Sequence, residues 1–160
     1  MHTRTEKLQD NDVSFPSAGC HSSIKTFGFR TALVIEESEN LRRSLVEHLK
    51  KRGWIVHGVR RLEQAIPVLR PIPYHLVLFG CEISGMTGVE FAKVIYESDK
   101  GQGVHLVALT GSRSRFSTEE LVNCGAFVAE KSVWRRDLSS YLNSIENAEQ
   151  VLERSALCRG

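Results

Sequence analysis

Five short apolar segments alternate with five amphipathic segments along this 160-residue chain, and the alternation restricts the folds that are open to it. The apolar segments are rich in β-branched residues, which is typical of strands that are buried on both faces. This pattern predicts strands at residues 31–35, 54–59, 74–79, 105–110 and 126–129. Because strands that alternate with helices are joined by right-handed crossovers, we expect a doubly wound parallel α/β sheet with helices on both faces.

Helix signals occupy the segments between the strands. Ser38 is placed to cap the first helix and Gly53 to end it. Pro67 lies inside the second helix, where it predicts a kink or a short helix. Residues 117–120, Ser-Thr-Glu-Glu, have the form of a capping box for the fourth helix. The apolar spacing of the last helix reaches as far as Leu152, which predicts an extension past the domain body.

Composition divides the chain into three parts. Residues 1–27 are polar and predict a flexible arm, because they hold too little apolar surface to offset the entropy of ordering. Residues 28–148 are sized for one domain, and residues 149–160 form a helical extension or tail. An apolar content of 41% is ordinary for a globular protein, and a net charge of +2 gives no case for a nucleic-acid-binding face.

The cysteines and the hydropathy pattern bear on the compartment. Four cysteines stand alone at positions 20, 81, 124 and 158, which indicates reduced thiols rather than a disulfide or zinc framework. No stretch approaches the roughly 20 apolar residues that cross a bilayer. The first residues lack the apolar core of a signal peptide. We therefore expect a cytoplasmic protein with no membrane contact.

Particular residues stand at the ends of four of the five predicted strands. They are Glu36-Glu37 after the first, Gly80 and then Ile83-Ser84-Gly85-Met86-Thr87-Gly88 at the third, Thr110-Gly111 at the fourth, and Lys131-Ser132 after the fifth. In this order, over residues 31–146, they resemble the receiver domains of two-component response regulators, the CheY-like family. The resemblance implies a flavodoxin-like (βα)5 sheet of strand order 2-1-3-4-5. It also implies that the acidic pair holds Mg²⁺, and that the hydroxyl of Thr110 and the amine of Lys131 contact a phosphoryl group.

Gly80 stands where the family carries its phosphorylated aspartate. Since glycine has no side chain, no acyl phosphate can form there, and the resemblance implies a degenerate pseudo-receiver that is no enzyme and has no cofactor. We expect weak Mg²⁺ binding at best, because a carboxylate is missing and the side chains of Glu36 and Glu37 are longer than the usual aspartates. The alternative for this pair is a solvated turn whose charge pairs with Lys131.

Four neighbouring residues have two interpretations each. Thr110 is a switch hydroxyl or ordinary turn chemistry. Ser132 replaces the family's proline, which predicts a trans peptide bond, and it is also a candidate cap for the last helix. Glu82 is a candidate substitute acceptor, although we expect its side chain to point elsewhere. Cys81 is a redox-sensitive thiol or a small core residue.

The resemblance favours a stand-alone response regulator that acts in signal transduction through phosphorylation-independent protein–protein interaction. Its partners would be proteins, such as a histidine kinase, another receiver or a second copy of the chain, and not nucleic acid. The family's face of fourth helix, fifth strand and fifth helix would present Leu121, Val122, Trp134, Tyr141 and Leu142. One alternative is a functional phosphorelay receiver with a non-standard acceptor or a non-covalent phosphate. The other is a small-molecule-binding flavodoxin-like protein, against which no Gly-rich phosphate loop follows the first strand.

Overall fold

The computed structural model describes residues 29–82, 85–98, 103–111 and 118–159, which form a single five-stranded sheet flanked by helices. The predicted arm at residues 1–27, Ser117 of the expected capping box and the dipeptide at 83–84 lie outside the described residues.

Strands and helices alternate throughout. The strands are β1 (Arg30–Ile35), β2 (Trp54–Val59), β3 (Leu76–Gly80), β4 (His105–Thr110) and β5 (Ala126–Glu130). The helices are α1 (Glu39–Lys51), α2 (Leu62–Leu69), α3 (Gly88–Glu97), α4 (Thr118–Asn123) and α5 (Trp134–Leu157), with a 3-10 turn at Lys131–Val133.

The sheet has the strand order β2-β1-β3-β4-β5, and every neighbouring pair is parallel. This confirms the predicted fold. The register sets Ile35 beside Phe79, Gly80 beside Leu109 and Thr110 beside Glu130. The carboxyl ends of the strands therefore meet at one edge, which is where doubly wound sheets carry their sites.

The core consists of two apolar layers, one on each face of the sheet. Beneath α2, α3 and α4, the rings of Phe79 and Phe91 meet edge to face at 5.2 Å. Beneath α1 and α5, Leu45 and Leu138 are fully buried against the other face. Because both faces are covered, the inner strands read as continuous apolar runs, as the sequence predicted.

The helix ends follow the sequence signals. Ser38 caps α1 by accepting a hydrogen bond from the backbone N–H of Leu41, and Gly53 takes a left-handed φ of 88° just after the helix. The helix α2 has only eight residues and contains Pro67, as expected for a short helix. The helix α5 continues unbroken past residue 148, and Leu152 is 67% exposed, so this part of the helix lies beyond the core.

Arg30 ties the start of the sheet to α5. Its guanidinium bridges Glu146 Oε1 at 3.3 Å and Glu149 Oε2 at 2.9 Å. The same group lies 5.7 Å from the centre of the Trp54 ring. These contacts fix the second half of α5 against the amino-terminal edge of the sheet.

Candidate functional site

The strand ends carry the residues that the sequence singled out, and one contact among them dominates. Lys131, just after β5, places its Nζ 3.3 Å from Glu36 Oε2, just after β1. The other carboxylate oxygen, Oε1, accepts a hydrogen bond of 3.0 Å from the backbone N–H of Ser38. The predicted pairing with Lys131 is confirmed for Glu36, but Glu36 is only 2% exposed, so the expectation of a solvated turn is wrong.

The ion pair is held by charge rather than by a directed hydrogen bond. Glu36 Oε2 is buried and has no hydrogen-bond partner among the described residues, although the amine of Lys131 lies within ion-pair distance. A buried carboxylate without this cation would carry a large desolvation cost. Lys131 is therefore committed to Glu36 in this structure.

A second cation closes the same turn. Arg42 of α1 donates from Nη1 to the backbone carbonyls of Glu36, at 2.7 Å, and of Glu37, at 3.4 Å. The guanidinium thus engages two carbonyl oxygens of the acidic turn. The side chain of Glu37 itself is half-buried. The backbone of the turn is thus held by a side chain of α1.

Mg²⁺, which the family resemblance implies, does not fit this arrangement. The ion prefers six oxygen ligands in near-octahedral geometry. Here the carboxylate of Glu36 is paired with Lys131, Gly80 supplies no carboxylate, and Arg42 sets a positive charge against the turn. Within the described ranges, no group of three histidine, cysteine, aspartate or glutamate side chains is arranged to hold a metal.

Gly80 is the buried last residue of β3, and Cys81 follows it into the core. The backbone N–H of Cys81 donates to the carbonyl of Leu109 at 2.9 Å, which extends the pairing with β4. Burial raises the pKa of the Cys81 thiol to about 12, although the charge of Lys131 opposes the rise. The interpretation as a small core residue is favoured over a reactive thiol.

Glu82 turns toward the end of β4. A Cβ placed on Gly111 would lie 3.0 Å and 3.1 Å from the two carboxylate oxygens of Glu82, so this side chain leans over the neighbouring strand end. Its role as a substitute acceptor stays a hypothesis. The hydroxyl of Thr110, in contrast, donates to the backbone carbonyl of Ala129 at 3.4 Å, which favours its structural interpretation.

Gly88, the first residue of α3, lies too close to Cys81 to carry a side chain. A Cβ there would lie 2.8 Å from the Cα of Cys81, a contact that the backbone does not allow. Thr87 caps α3 by accepting from the N–H of Glu90 at 3.2 Å, and Glu90 accepts from the N–H of Thr87 at 3.0 Å. The sequence reasoning did not identify this capping box, although Thr-x-x-Glu is its signature.

Ser132 does not cap α5. It lies in the 3-10 turn and donates to Glu130 Oε1 at 2.6 Å, while the N-cap position of α5 belongs to Val133, which makes no side-chain cap bond. No cis peptide bond occurs in the part of the chain that the structure describes, as the replacement of proline by serine predicted.

The predicted partner face is wrong for three of its five residues. Leu121 and Leu142 are fully buried and Trp134 is 7% exposed, because α4 and α5 use these side chains to cover the sheet. Val122 is 56% exposed. Tyr141 is half-buried and its ring stacks on a neighbouring phenylalanine, and burial raises the pKa of its hydroxyl.

A parallel sheet of this order, with a lysine and an acidic turn at its strand ends, defines a receiver-type signalling domain. The sequence bears this out, since residues 32–143 match the response regulator receiver domain, and the chain belongs to that family. Receiver domains are signalling modules of two-component systems.

Solved structures share the fold. The chemotaxis response regulator CheY4 of Vibrio cholerae aligns with a TM-score of 0.65 and 19% identity, over 73% of this chain and 98% of that one. The receiver domain of a DNA-binding response regulator from Colwellia psychrerythraea aligns with a TM-score of 0.67 and 16% identity, over 74% and 98%. The co-crystal structure of the Saccharomyces cerevisiae phosphotransfer protein Ypd1 with the receiver domain of Ssk1 aligns with a TM-score of 0.60 and 22% identity, over 69% and 84%.

None of the helices in the described ranges combines the length and the apolar character that a membrane crossing requires.

Proposed function

We propose that this protein is an atypical response regulator, a pseudo-receiver that transmits signals by binding other proteins without being phosphorylated. The observation that carries the proposal is the pair of Glu36 and Lys131 beside Gly80. The nucleophile is absent, and the lysine that would neutralise a phosphoryl oxygen is occupied by a carboxylate of the same chain.

Phosphoryl transfer to a receiver needs an attacking carboxylate and cations that neutralise the transferred group. At these strand ends Glu36 is buried and paired, and the residues that the structure describes offer Mg²⁺ no suitable ligand set. The described geometry therefore favours one fixed state of the pocket over a phosphorylation cycle.

Protein partners are the natural ligands of such a module. In the yeast co-crystal structure, a histidine phosphotransfer protein is bound to a receiver domain. By analogy we propose a signalling protein as the partner here, such as a phosphotransfer protein, a histidine kinase or another receiver, and a cytoplasmic site of action. Val122 and Tyr141 remain accessible in part for a contact on the face of α4 and α5, including contact with a second copy.

Acetyl phosphate tests the proposal directly. The purified chain, incubated with acetyl phosphate and Mg²⁺, is expected to keep its intact mass. Gly80→Asp is the matched variant, since it restores a carboxylate at the end of β3 while Lys131 stays paired with Glu36, and we expect it to gain the phosphoryl mass far more slowly than a response regulator with an intact acceptor. A response regulator with an intact acceptor serves as the control for the reagent.

Glu82 gives the main alternative a specific form, because its carboxylate leans over the end of β4. A mass gain by the wild-type chain that disappears in Glu82→Gln would establish a receiver with a non-standard acceptor. Such a result would refute the phosphorylation-independent function.

A further inference from the structure

The helices α1 and α5 meet at His48, on the face of the sheet away from α3. His48 is half-buried, and its Nε2 lies at a hydrogen-bond distance of 3.2 Å from Ser139 Oγ. The His48 ring meets the ring of Trp134 edge to face, with the centres 5.3 Å apart and the planes at 85°. The contact thus places a titratable ring against the aromatic ring of Trp134.

Positive charges surround this contact. Burial lowers the pKa of His48, and the charges of Arg52, Arg135 and Lys51 lower it further. Arg52 is compensated by Glu146, whose Oε2 lies 3.0 Å from its Nη2. Lys51 and Arg135 are exposed, and neither forms an ion pair with a residue that the structure describes.

Arg135 is placed where a cation is unfavourable. It is the second residue of α5, where the helix dipole favours acidic side chains. Its guanidinium lies 4.6 Å from the centre of the Trp134 ring, so the cation lies over that ring. Next to it, the Nε of Arg136 lies 3.0 Å from Asp137 Oδ1. Arg136 therefore has a counter-charge, whereas Arg135 has none among the described residues.

We propose that Lys51, His48 and Arg135 form a docking surface, the α1–α5 basic surface, for an acidic segment of a partner protein. The proposal rests on the proposed function, because it names the chemistry of the partner that a phosphorylation-independent receiver would bind. Carboxylates on that segment would neutralise the two uncompensated cations and relieve the unfavourable charge at the start of α5.

A protein segment fits this surface better than a nucleic acid does. Nucleic-acid binding needs many phosphate contacts and a broad basic face. Here two cations lack counter-charges, and the carboxylates of Glu47, Asp137 and Glu146 lie on the same two helices. A stiff duplex with regularly spaced phosphates would bring some of them against these acids, whereas a flexible acidic peptide can place its carboxylates on the two cations.

His48 provides a readout that is specific to this surface. Burial and the neighbouring cations hold the pKa of His48 down, and we expect carboxylates that neutralise Arg135 and Lys51 to raise it. By linkage, the affinity for an acidic segment rises as the pH falls through the pKa of His48.

The probe is poly-L-glutamate of about 20 residues, long enough to span two helices. Calorimetry with the full chain at low ionic strength is expected to show binding that weakens as NaCl is added. NMR titration of the His48 ring is expected to show a higher pKa with the probe than without it. Arg135→Glu and Lys51→Glu should each lower the affinity by about tenfold or more.

Lys93→Glu is the matched control, because it makes the same change in net charge on α3, at an exposed position on the other face of the sheet. Glutamate complies with the helix dipole at position 135, so that variant keeps its fold. Equal losses in Arg135→Glu and Lys93→Glu, an unchanged pKa of His48, or no binding at low salt would each overturn the proposal.

A DNA duplex of about 20 base pairs, tested in the same way, separates the two classes of polyanion. Tighter binding of the duplex than of poly-L-glutamate, lost in the same variants, would also overturn the proposal. None of these readouts depends on phosphorylation. A mass gain from acetyl phosphate would therefore refute the proposed function while leaving the docking surface intact. Conversely, an unchanged mass together with no binding of poly-L-glutamate would overturn the docking surface and leave the proposed function intact.

Discussion

Replacing Lys131 with methionine removes the charge that holds Glu36 at the strand ends and keeps most of the aliphatic stem. The carboxylate of Glu36 has 3% side-chain exposure, so it would be left buried with the N–H of Ser38 as its remaining described donor. Removing one partner of a fully buried pair costs about 3–5 kcal/mol. Since the side chain of Lys131 is 25% exposed, solvent screens the pair, and we expect a loss of about 2–3 kcal/mol.

Glu36→Gln is the control that makes this prediction sharp. The amide oxygen still accepts from the N–H of Ser38, and the freed amine of Lys131 reaches water. Because the amide NH2 takes the buried place of Oε2 without a described acceptor, we expect a cost of about 1–2 kcal/mol, below that of Lys131→Met. The double variant should be more stable than Lys131→Met alone, because no buried charge remains. Urea unfolding with a common m-value measures all three free energies of unfolding. Equal costs for the two single variants would refute the assignment of Glu36 as a buried charge that depends on Lys131.

Three further predictions concern other parts of the molecule. Gly88→Ala should lose about 1–3 kcal/mol in urea unfolding, because its Cβ would meet the backbone of Cys81 at 2.8 Å, whereas Gly58→Ala, whose Cβ meets only side chains, is the control. Similar losses in both variants would contradict this. The lowered pKa of His48 means that the unfolded chain takes up its proton first as the pH falls below 6.5, so wild-type stability should decline there and His48→Gln should flatten the profile. Parallel profiles would exclude the effect. Iodoacetamide at about pH 8 should modify the exposed Cys158 quickly and the buried Cys81 slowly, as read by peptide mass, since burial raises the pKa of Cys81 to about 12; equal rates would count against that burial.

The fold was predictable because parallel strands that are buried on both faces leave continuous apolar runs between glycine and proline signals. The strand order came from the family resemblance and not from the periodicity. The pairing between Glu36 and Lys131 was also predictable, because residues that follow parallel strands converge at one edge of the sheet. The burial of Glu36 was not, because it depends on how the start of α1 and the guanidinium of Arg42 close the turn.

The partner face shows what helical periodicity leaves open. Apolar spacing identifies the side of α4 or α5 that avoids water, but the same pattern serves a core and an interface. Leu121 and Leu142 satisfy the pattern by covering the sheet. The position of Glu82 was open for a different reason, because the direction of a side chain in a turn depends on backbone angles that spacing does not encode.

The sequence alone indicates only the α1 part of the α1–α5 basic surface. His48 is followed by Lys50, Lys51 and Arg52, which indicates a basic end to α1. The charge of Arg135 on α5 acts on His48 of α1, and no local sequence pattern indicates that these two residues lie near each other. Which residues of two helices lie near each other depends on how the crossover connections place those helices side by side.

The double bridge from Arg30 to α5 has a consequence for how the domain can be connected to anything else. It holds the first residue of β1 and the second half of α5 at the pole opposite Gly80 and Lys131. A fusion or surface tether attached near either point would leave the strand tips and the tops of α1 and α5 unobstructed. The same closeness suits the chain to circular permutation, with a short linker joining these neighbours and new ends opened elsewhere.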